Sequence, residues 1–196
     1  KAVDGVTFDV YENKTLGVVG ESGCGKSVTA RSLVQLQGHR GKIVGGTITF
    51  YKDGRVPLNI ADLEPDSEEI RRIRGREISM IFQEPMASMS PVYTVANQVT
   101  EVIRLHQGVE KAEAREIALE MLHKVGIPKP ATTIDQYPYQ LSGGMCQRVM
   151  IAMALSYKPR FLIADEPTTA LDVTIQAQIL DLIKDLQDEF GMGVMM

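Results

Sequence analysis

The stretch LGVVGESGCGKSVTA, residues 16–30, decides the fold. The apolar run at residues 16–19 is typical of a central strand covered on both faces, and residues 27–37 show a helical pattern. Between them the sequence fits G-x-x-x-x-G-K-[ST] from Gly20 to Ser27. The glycines allow backbone N–H groups to turn toward phosphate oxygens, so the stretch predicts a phosphate-binding loop. A glycine-rich turn that only links strand to helix is the alternative.

This loop predicts a triphosphate and a metal ion as ligands. Lys26 is expected to reach the β and γ phosphates, and the Ser27 hydroxyl to ligate Mg²⁺. The residues predicted to contact the nucleotide form one uninterrupted run: Gly20, Glu21, Ser22, Gly23, Cys24, Gly25, Lys26, Ser27 and Val28.

Two acids follow the buried strand pattern FLIA at residues 161–164. Ligands of open α/β sheets bind at the carboxyl ends of the strands, where Asp165 is expected to hold Mg²⁺. Glu166 is expected to orient and deprotonate the attacking water. Any strand exit can carry two acids, but the phosphate loop favours the catalytic interpretation.

A third motif is LSGGMCQR, residues 141–148. A serine followed by two glycines at a helix start offers a hydroxyl and bare N–H groups to an anion. Taken alone, this motif predicts no more than an ordinary helix N-cap.

The remaining pattern alternates strands with helices. Strands are predicted at residues 3–10 and 77–83, a hairpin at 45–58 around Asp53 and Gly54, and helices at 94–107, 111–125 and 174–190 and directly behind Ser142–Gly144. This order predicts a mostly parallel α/β sheet with a β-rich edge and a helical insert.

Composition narrows the class of protein. With 196 residues, 44% hydrophobic and 23% charged, the chain is typical of a folded globular domain, and its net charge of −4 argues against a nucleic-acid surface. The basic run at residues 71–76 is interpreted as a solvated, acid-paired helix face. Two distant cysteines predict neither a disulfide framework nor a metal site. The chain starts without Met and ends on an apolar run, so we expect it to be cut at both ends.

Taken in order, the motifs GESGCGKS, FQEP, LSGGMCQR and FLIADEPTTALD resemble the nucleotide-binding subunit of ATP-binding cassette transporters over essentially the whole chain. The segments around FQEP and TALD look like the branch that serves importers of dipeptides and oligopeptides and, in some members, of nickel or oligosaccharides. The resemblance implies a P-loop NTPase fold of RecA-like type in one domain, residues 1–196. A catalytic core with an antiparallel β subdomain would span 1–87 and 156–196, and a helical subdomain 88–155.

The resemblance also implies roles for individual residues. Gln83 would touch Mg²⁺ and the attacking water and move with the helical subdomain. Leu141, Ser142, Gly143, Gly144 and Met145 would contact the ATP held by a second, facing subunit. Asp172 would cross the same interface and couple the two sites.

The implied activity is ATP hydrolysis with Mg²⁺, powering peptide uptake from the cytoplasmic face of the membrane. The implied partners are a second ATPase subunit, permease subunits and, indirectly, an extracytoplasmic solute-binding protein, with no nucleic acid. A non-transport cassette ATPase acting on ribosomes or nucleic acid is an alternative, and an unrelated P-loop kinase or GTPase is another.

The chain departs from the family at a few positions. Cys146 stands where arginine is usual, and Met145 where glutamine is commonest. The family's adenine-stacking aromatic would precede Lys1, and its phosphate-sensing histidine would follow Met196. His39, His106 and His123 lie in the wrong context for that histidine.

Overall fold

Four short parallel strands form the central sheet of this computed structural model, which describes residues 1–38, 41–52, 56–169 and 171–196. In spatial order they are β1 (Thr15–Leu16), β6 (Gly193–Met195), β5 (Phe161–Ala164) and β4 (Ile78–Ile81). The strand β5 has a neighbour on each side, and its residues 162–164 are buried because core clusters cover both of its faces. The predicted mostly parallel sheet is confirmed.

The register of β4 and β5 brings the ends of these two strands together. Ile81 pairs with Ala164, and the Asp165 N–H donates to the Ile81 carbonyl at 3.0 Å. Residues that follow either strand therefore emerge at the same edge of the sheet, as the carboxyl ends of parallel strands do. Gln83 follows β4 there, and Glu166 follows β5.

A separate antiparallel pair joins β2 (Thr49–Phe50) to β3 (Leu58–Asn59). Thr49 lies opposite Asn59, which confirms the hairpin pairing. The predicted turn at Asp53 and Gly54 lies outside the described residues.

Eight α-helices are found among the described residues. They are α1 (Lys26–Ser32), α2 (Glu68–Arg76), α3 (Pro85–Ser88), α4 (Val95–Gln107), α5 (Lys111–Lys124), α6 (Pro130–Thr133), α7 (Gly143–Leu155) and α8 (Val173–Phe190). The helices α4 and α5 and the C-terminal helix α8 lie within a residue of their predicted spans. The helix predicted behind Ser142–Gly144 includes both glycines.

The core divides into two apolar clusters. The larger one joins α4, α5, α7 and α8 to the sheet through fully buried residues such as Val99, Ala118, Ile151 and Ile179. The smaller one packs α1 and α2 against the other side, with Ala30 and Ile70 at its centre. The phosphate loop therefore leads into one cluster, while the 141–148 motif begins a helix of the other.

The strand predicted at residues 3–10 is wrong. The structure describes all eight residues and none of them forms a strand, and Val6 is 56% exposed. An alternating pattern shows which side chains could face a core, but a strand also needs a hydrogen-bonding neighbour. In the described part of the chain, β2 and β3 pair with each other only.

The predicted central strand at residues 16–19 is wrong in place and extent. β1 lies at the end of the described sheet beside β6, and Val19 is 97% exposed. The run is apolar, but Val19 and the loop residues 20–24 that follow it are exposed, so the chain has left the sheet by Val19.

The first helix is shorter than the predicted 27–37. It ends at Ser32, and Gln35 has a left-handed φ of 53°. The Arg74 guanidinium then donates to the carbonyls of Val34 and Gln35, both at 2.8 Å. Arg72 pairs with Glu68 on the solvated face of α2 as predicted, whereas Arg74 is occupied by these backbone groups.

Candidate nucleotide-binding site

The phosphate loop curls at Gly25, which directly precedes α1. Gly25 has a φ of 101°, a value that side-chain-bearing residues rarely adopt. A Cβ at this position would also lie 2.8 Å from the Ala2 carbonyl oxygen. The Gly25 carbonyl accepts the first helical hydrogen bond, from the Thr29 N–H at 2.9 Å. The glycine is therefore required by conformation and by space.

Lys26 extends back across the inside of the loop. Its ammonium donates to the carbonyls of Gly20 at 2.7 Å and Glu21 at 3.0 Å. The same ammonium lies 3.5 Å from Glu166 Oε1. The curved loop and the acid after β5 thus share one cation.

The Ser27 hydroxyl donates to Asp165 Oδ1 at 2.7 Å, joining two residues 138 positions apart. Asp165 is 5% exposed, and its buried Oδ2 has no hydrogen-bond partner among the residues that the structure describes. The Arg31 guanidinium lies 3.9 Å from that oxygen. These oxygens are ligands that Mg²⁺ prefers, and Mg²⁺ is commonly held by one or two carboxylates with phosphates. No cluster of three or more His, Cys, Asp or Glu suited to a metal occurs in the described ranges. Ser27 and Asp165 therefore fit a Mg²⁺ ion whose remaining ligands come from a bound nucleotide.

Glu166 meets Gln83 at the shared edge of β4 and β5. The Gln83 amide donates to Glu166 Oε2 at 2.8 Å, and the Thr169 hydroxyl donates to the same oxygen at 3.1 Å. Glu166 has a φ of 49°, unusual for a residue with a side chain. The structure thus brings together Lys26, Ser27, Gln83, Asp165 and Glu166, all predicted from the sequence.

The other predicted residues of the loop are largely exposed. Glu21, Ser22, Gly23 and Cys24 are exposed, and Val28 is 38% exposed. A Cβ on Gly20 would lie 2.5 Å from Cys24 Sγ, so Gly20 leaves room for the thiol.

The predicted second contact region lies at the starts of α7 and α8. Ser142 is the N-cap of α7 and accepts from the Met145 N–H at 3.3 Å. Asp172 is the N-cap of α8 and accepts from the Ile175 N–H at 3.0 Å. Both caps are exposed. No hydrogen bond or ion pair within the described residues joins either cap to Lys26, Ser27, Asp165 or Glu166.

The two helix starts pack against each other. A Cβ on Gly143 would lie 3.7 Å from Leu171 Cδ2, and one on Gly144 would lie 3.1 Å from Ile175 Cγ2. Leu141 is 8% exposed and belongs to the larger core cluster. Met145 packs against the same cluster, so these two side chains anchor the motif.

Cys146 occupies the position where the family usually has arginine. Its side chain is fully buried, and its Sγ donates to the Pro138 carbonyl at 3.4 Å. Burial raises the pKa of the Cys146 thiol. The cationic contacts of this helix come from Arg148 instead, which donates to the Val125 carbonyl at 2.6 Å and to Gln178 Oε1 at 3.1 Å.

Neither His106 nor His123 forms a hydrogen bond or ion pair with the cluster among the described residues. His106 packs edge-on against Tyr157 with ring centroids 4.7 Å apart. Desolvation, followed by the charge of Arg76, lowers the pKa of His106. His123 is exposed. His39 lies outside the described residues.

Sequence reasoning missed two side chains at this site. Arg31 lies four residues after Ser27, one helical turn on, and that spacing could have placed it beside Asp165. Thr169 lies three residues after Glu166, but nothing in the pattern showed that the chain would turn back there.

Comparison with known proteins identifies relatives over the whole chain. The family model described as ABC transporter matches residues 3–169. A protein of Sinorhizobium fredii named "Probable peptide ABC transporter ATP-binding protein y4tR" is 53% identical over 100% of this chain and 56% of its own length. The dipeptide transport ATP-binding protein DppD of Escherichia coli is 47% identical over 100% of this chain and 58% of its own. The chain therefore spans little more than half the length of these curated relatives.

A solved structure has the same fold. It is the dimeric post-hydrolysis state of the ATP-binding cassette MJ0796 bound to ADP and Pi, with a TM-score of 0.81 and 32% identity. The alignment covers 99% of this chain and 78% of that one. In the described part of this chain, no helix has the length and apolar character required to cross a membrane.

Proposed function

The chain belongs to the ABC transporter family, and on that premise we propose that it is the ATP-binding and ATP-hydrolysing part of an importer subunit that powers uptake of dipeptides or oligopeptides. The observation that carries this proposal is the cluster formed by Lys26, Ser27, Gln83, Asp165 and Glu166. Residues from three separate stretches of the sequence are joined there by direct contacts.

ATP would bind with its phosphates along the loop from Gly20 to Ser27. The Lys26 ammonium would exchange its loop carbonyls for phosphate oxygens, which are stronger acceptors for a cation. The Ser27 hydroxyl, Asp165 and Gln83 would hold Mg²⁺. When bound, this ion would neutralise charge that develops on the phosphate oxygens during transfer.

Glu166 would orient the attacking water and accept its proton. Its carboxylate lies beside both Lys26 and Gln83, so it adjoins the phosphate side and the metal side of the site. Catalysis of this kind depends on a positioned base within hydrogen-bond reach of the nucleophile.

The starts of α7 and α8 would serve a second copy of this fold or a related chain. The exposed caps Ser142 and Asp172 have no hydrogen bond or ion pair with the cluster in the described part of their own chain, which supports a role in trans. Leu141, Ser142, Gly143, Gly144 and Met145 would cover ATP held at the partner's loop. The dimeric state of MJ0796 supports pairing of this kind.

Motion would link the two subunits to transport. We propose that residues 88–155 form a helical subdomain and that 1–87 and 156–196 form the catalytic core, with Gln83 at their junction. ATP binding would close the pair and hydrolysis would open it. Permease subunits at the cytoplasmic face of the membrane would follow this motion, and an extracytoplasmic solute-binding protein would deliver the peptide. The names of the relatives support the peptide branch.

Replacement of the base tests this function. In the full-length protein, Glu166→Gln is expected to keep ATP affinity but to reduce hydrolysis by at least about 100-fold, because the amide cannot accept the proton. ATP-bound dimers should accumulate. Nucleotide binding, phosphate release and size-exclusion chromatography measure these three outcomes.

Glu116→Gln is the matched control, since Glu116 is an exposed glutamate on α5. It should leave hydrolysis unchanged. Wild-type turnover in Glu166→Gln would remove Glu166 from the role of base, and loss of ATP binding in that variant would assign it to the binding of substrate.

A further inference from the structure

Three groups contact the Glu166 carboxylate in the described part of the chain. Lys26 lies 3.5 Å from Oε1, while Gln83 and Thr169 donate to Oε2 at 2.8 Å and 3.1 Å. The proposed function assigns other work to two of these groups. Lys26 would bind phosphate, and Gln83 would turn to Mg²⁺ and water.

Thr169 differs from the other two because it is joined to Glu166 by the local chain. Its backbone N–H donates to the Glu166 carbonyl at 3.2 Å, which closes a turn, and its hydroxyl then reaches the carboxylate of the same residue. Neither bond depends on the phosphate loop or on the helices. Both can persist when ATP occupies the site.

Glu166 needs such support because its backbone is unfavourable. A φ of 49° places it in the left-handed region, which residues with a Cβ rarely adopt unless the surroundings hold them. A freely rotating carboxylate at this position would meet the attacking water in only a fraction of its rotamers. A hydrogen bond from a fixed hydroxyl restricts that freedom.

We propose that Thr169 is the positioning residue for the base: its hydroxyl holds the Glu166 carboxylate in place after nucleotide has drawn Lys26 and Gln83 away. This inference rests on the proposed function and extends it to a residue to which that function assigns no contact with ATP or Mg²⁺. It predicts that the hydroxyl matters for turnover and not for nucleotide binding.

Thr169→Val tests this because valine keeps the branched shape and removes the hydroxyl. In the full-length subunit with its permease partners in lipid vesicles, kcat for ATP hydrolysis should fall roughly tenfold, the effect of losing a hydrogen bond to a charged group. KM for ATP should stay within about twofold, because ground-state binding is untouched. Thr169→Ser restores the hydroxyl and should restore kcat.

Thr168→Val is the matched control. The Thr168 hydroxyl makes no hydrogen bond within the described residues, while its carbonyl accepts from Gln176 at 3.3 Å. Thr168→Val should keep the wild-type kcat.

A double variant gives a further check. If Thr169 acts through Glu166, adding Thr169→Val to Glu166→Gln should not lower kcat further.

Unchanged kcat in Thr169→Val would overturn the proposal, as would equal losses in Thr168→Val or failure of Thr169→Ser to restore turnover. These results leave the proposed function standing as long as wild-type protein hydrolyses ATP and Glu166→Gln does not. Failure of the function itself would appear in those two proteins.

Discussion

The phosphate loop and the start of α7 both present groups suited to an anion, yet they are built differently. Around the loop, Lys26, Ser27, Asp165 and Glu166 contact one another within the chain. At the start of α7, the Ser142 side chain has its one hydrogen bond within the described residues in the turn that it caps, and it is exposed. The side chains around the phosphate loop are therefore held by contacts within one chain, whereas the start of α7 presents its polar groups to solvent.

This difference teaches what each region needs in order to act. Under the proposed function, the loop region would supply the cation, the metal ligands and the base from a single chain. Within the described residues, the start of α7 offers two glycines and a hydroxyl. Under the same proposal, it would act on a charged ligand that another chain holds.

The close packing of α7 on α8 can be tested by filling the space at Gly144. A Cβ there would lie 3.1 Å from Ile175 Cγ2. We expect Gly144→Ala to lower the free energy of unfolding by about 1 kcal/mol, because ~2 kcal/mol of overpacking exceeds the ~1 kcal/mol gained on replacing a helical glycine. Denaturant unfolding without nucleotide measures this change.

Gly143→Ala is the control for that measurement, because its Cβ would meet Leu171 at an ordinary 3.7 Å. It should not destabilise the fold. In an Ile175→Ala background the cost of Gly144→Ala should shrink by at least about 0.5 kcal/mol, the size of coupling expected for touching residues. Equal costs in both backgrounds would mean that Ile175 does not limit the space at Gly144.

A smaller effect is expected from the exposed ion pair between Arg115 and Asp135, whose two hydrogen bonds measure 2.9 Å and 2.7 Å. The Arg115 hydrogen bond lowers the pKa of Asp135, so the pair stabilises the fold above the carboxyl's ordinary pKa and loses that contribution as the pH falls through the lowered value. Asp135→Asn should cost under about 0.5 kcal/mol at neutral pH, because solvent screens exposed pairs.

Unfolding at pH 7 and pH 3 checks the sign, since the difference between variant and wild type should narrow at the lower pH. The variant should hydrolyse ATP normally. If Asp135→Asn lowered ATP hydrolysis, the ion pair would influence the phosphate loop or the start of α7 from a distance, beyond the direct packing described at Gly144.

Motifs with a fixed spacing between their residues could be predicted from the sequence. The loop from Gly20 to Ser27, the acids after FLIA and the serine cap of α7 lie where their patterns placed them. Each of these depends on neighbours within a few residues or on the rule that ligands meet strand ends. Mg²⁺ ligation and contacts in trans stay predictions.

Features set by distant neighbours could not be predicted. Residues 3–10 alternate like a strand but have no strand partner in the described sheets. Just after the early end of α1, the Val34 and Gln35 carbonyls accept hydrogen bonds from Arg74, a residue of α2 that lies about 40 positions later in the sequence. The Thr169 hydroxyl contacts Glu166 in a turn where the Glu166 backbone is left-handed. A glutamate in the sequence does not predict that conformation.

Under the proposed function, one chain holds the nucleotide at Lys26 while its neighbour covers that nucleotide from Ser142. The most direct measurement uses mixed pairs in which one full-length subunit carries Ser142→Arg and the two subunits are distinguishable by tag. Nucleotide affinity and hydrolysis would be followed separately at each phosphate loop. We predict that the substituted subunit keeps its own ATP affinity while hydrolysis stops at the partner's loop. Loss of nucleotide at the substituted subunit's own loop, with normal turnover at the partner's, would contradict the account.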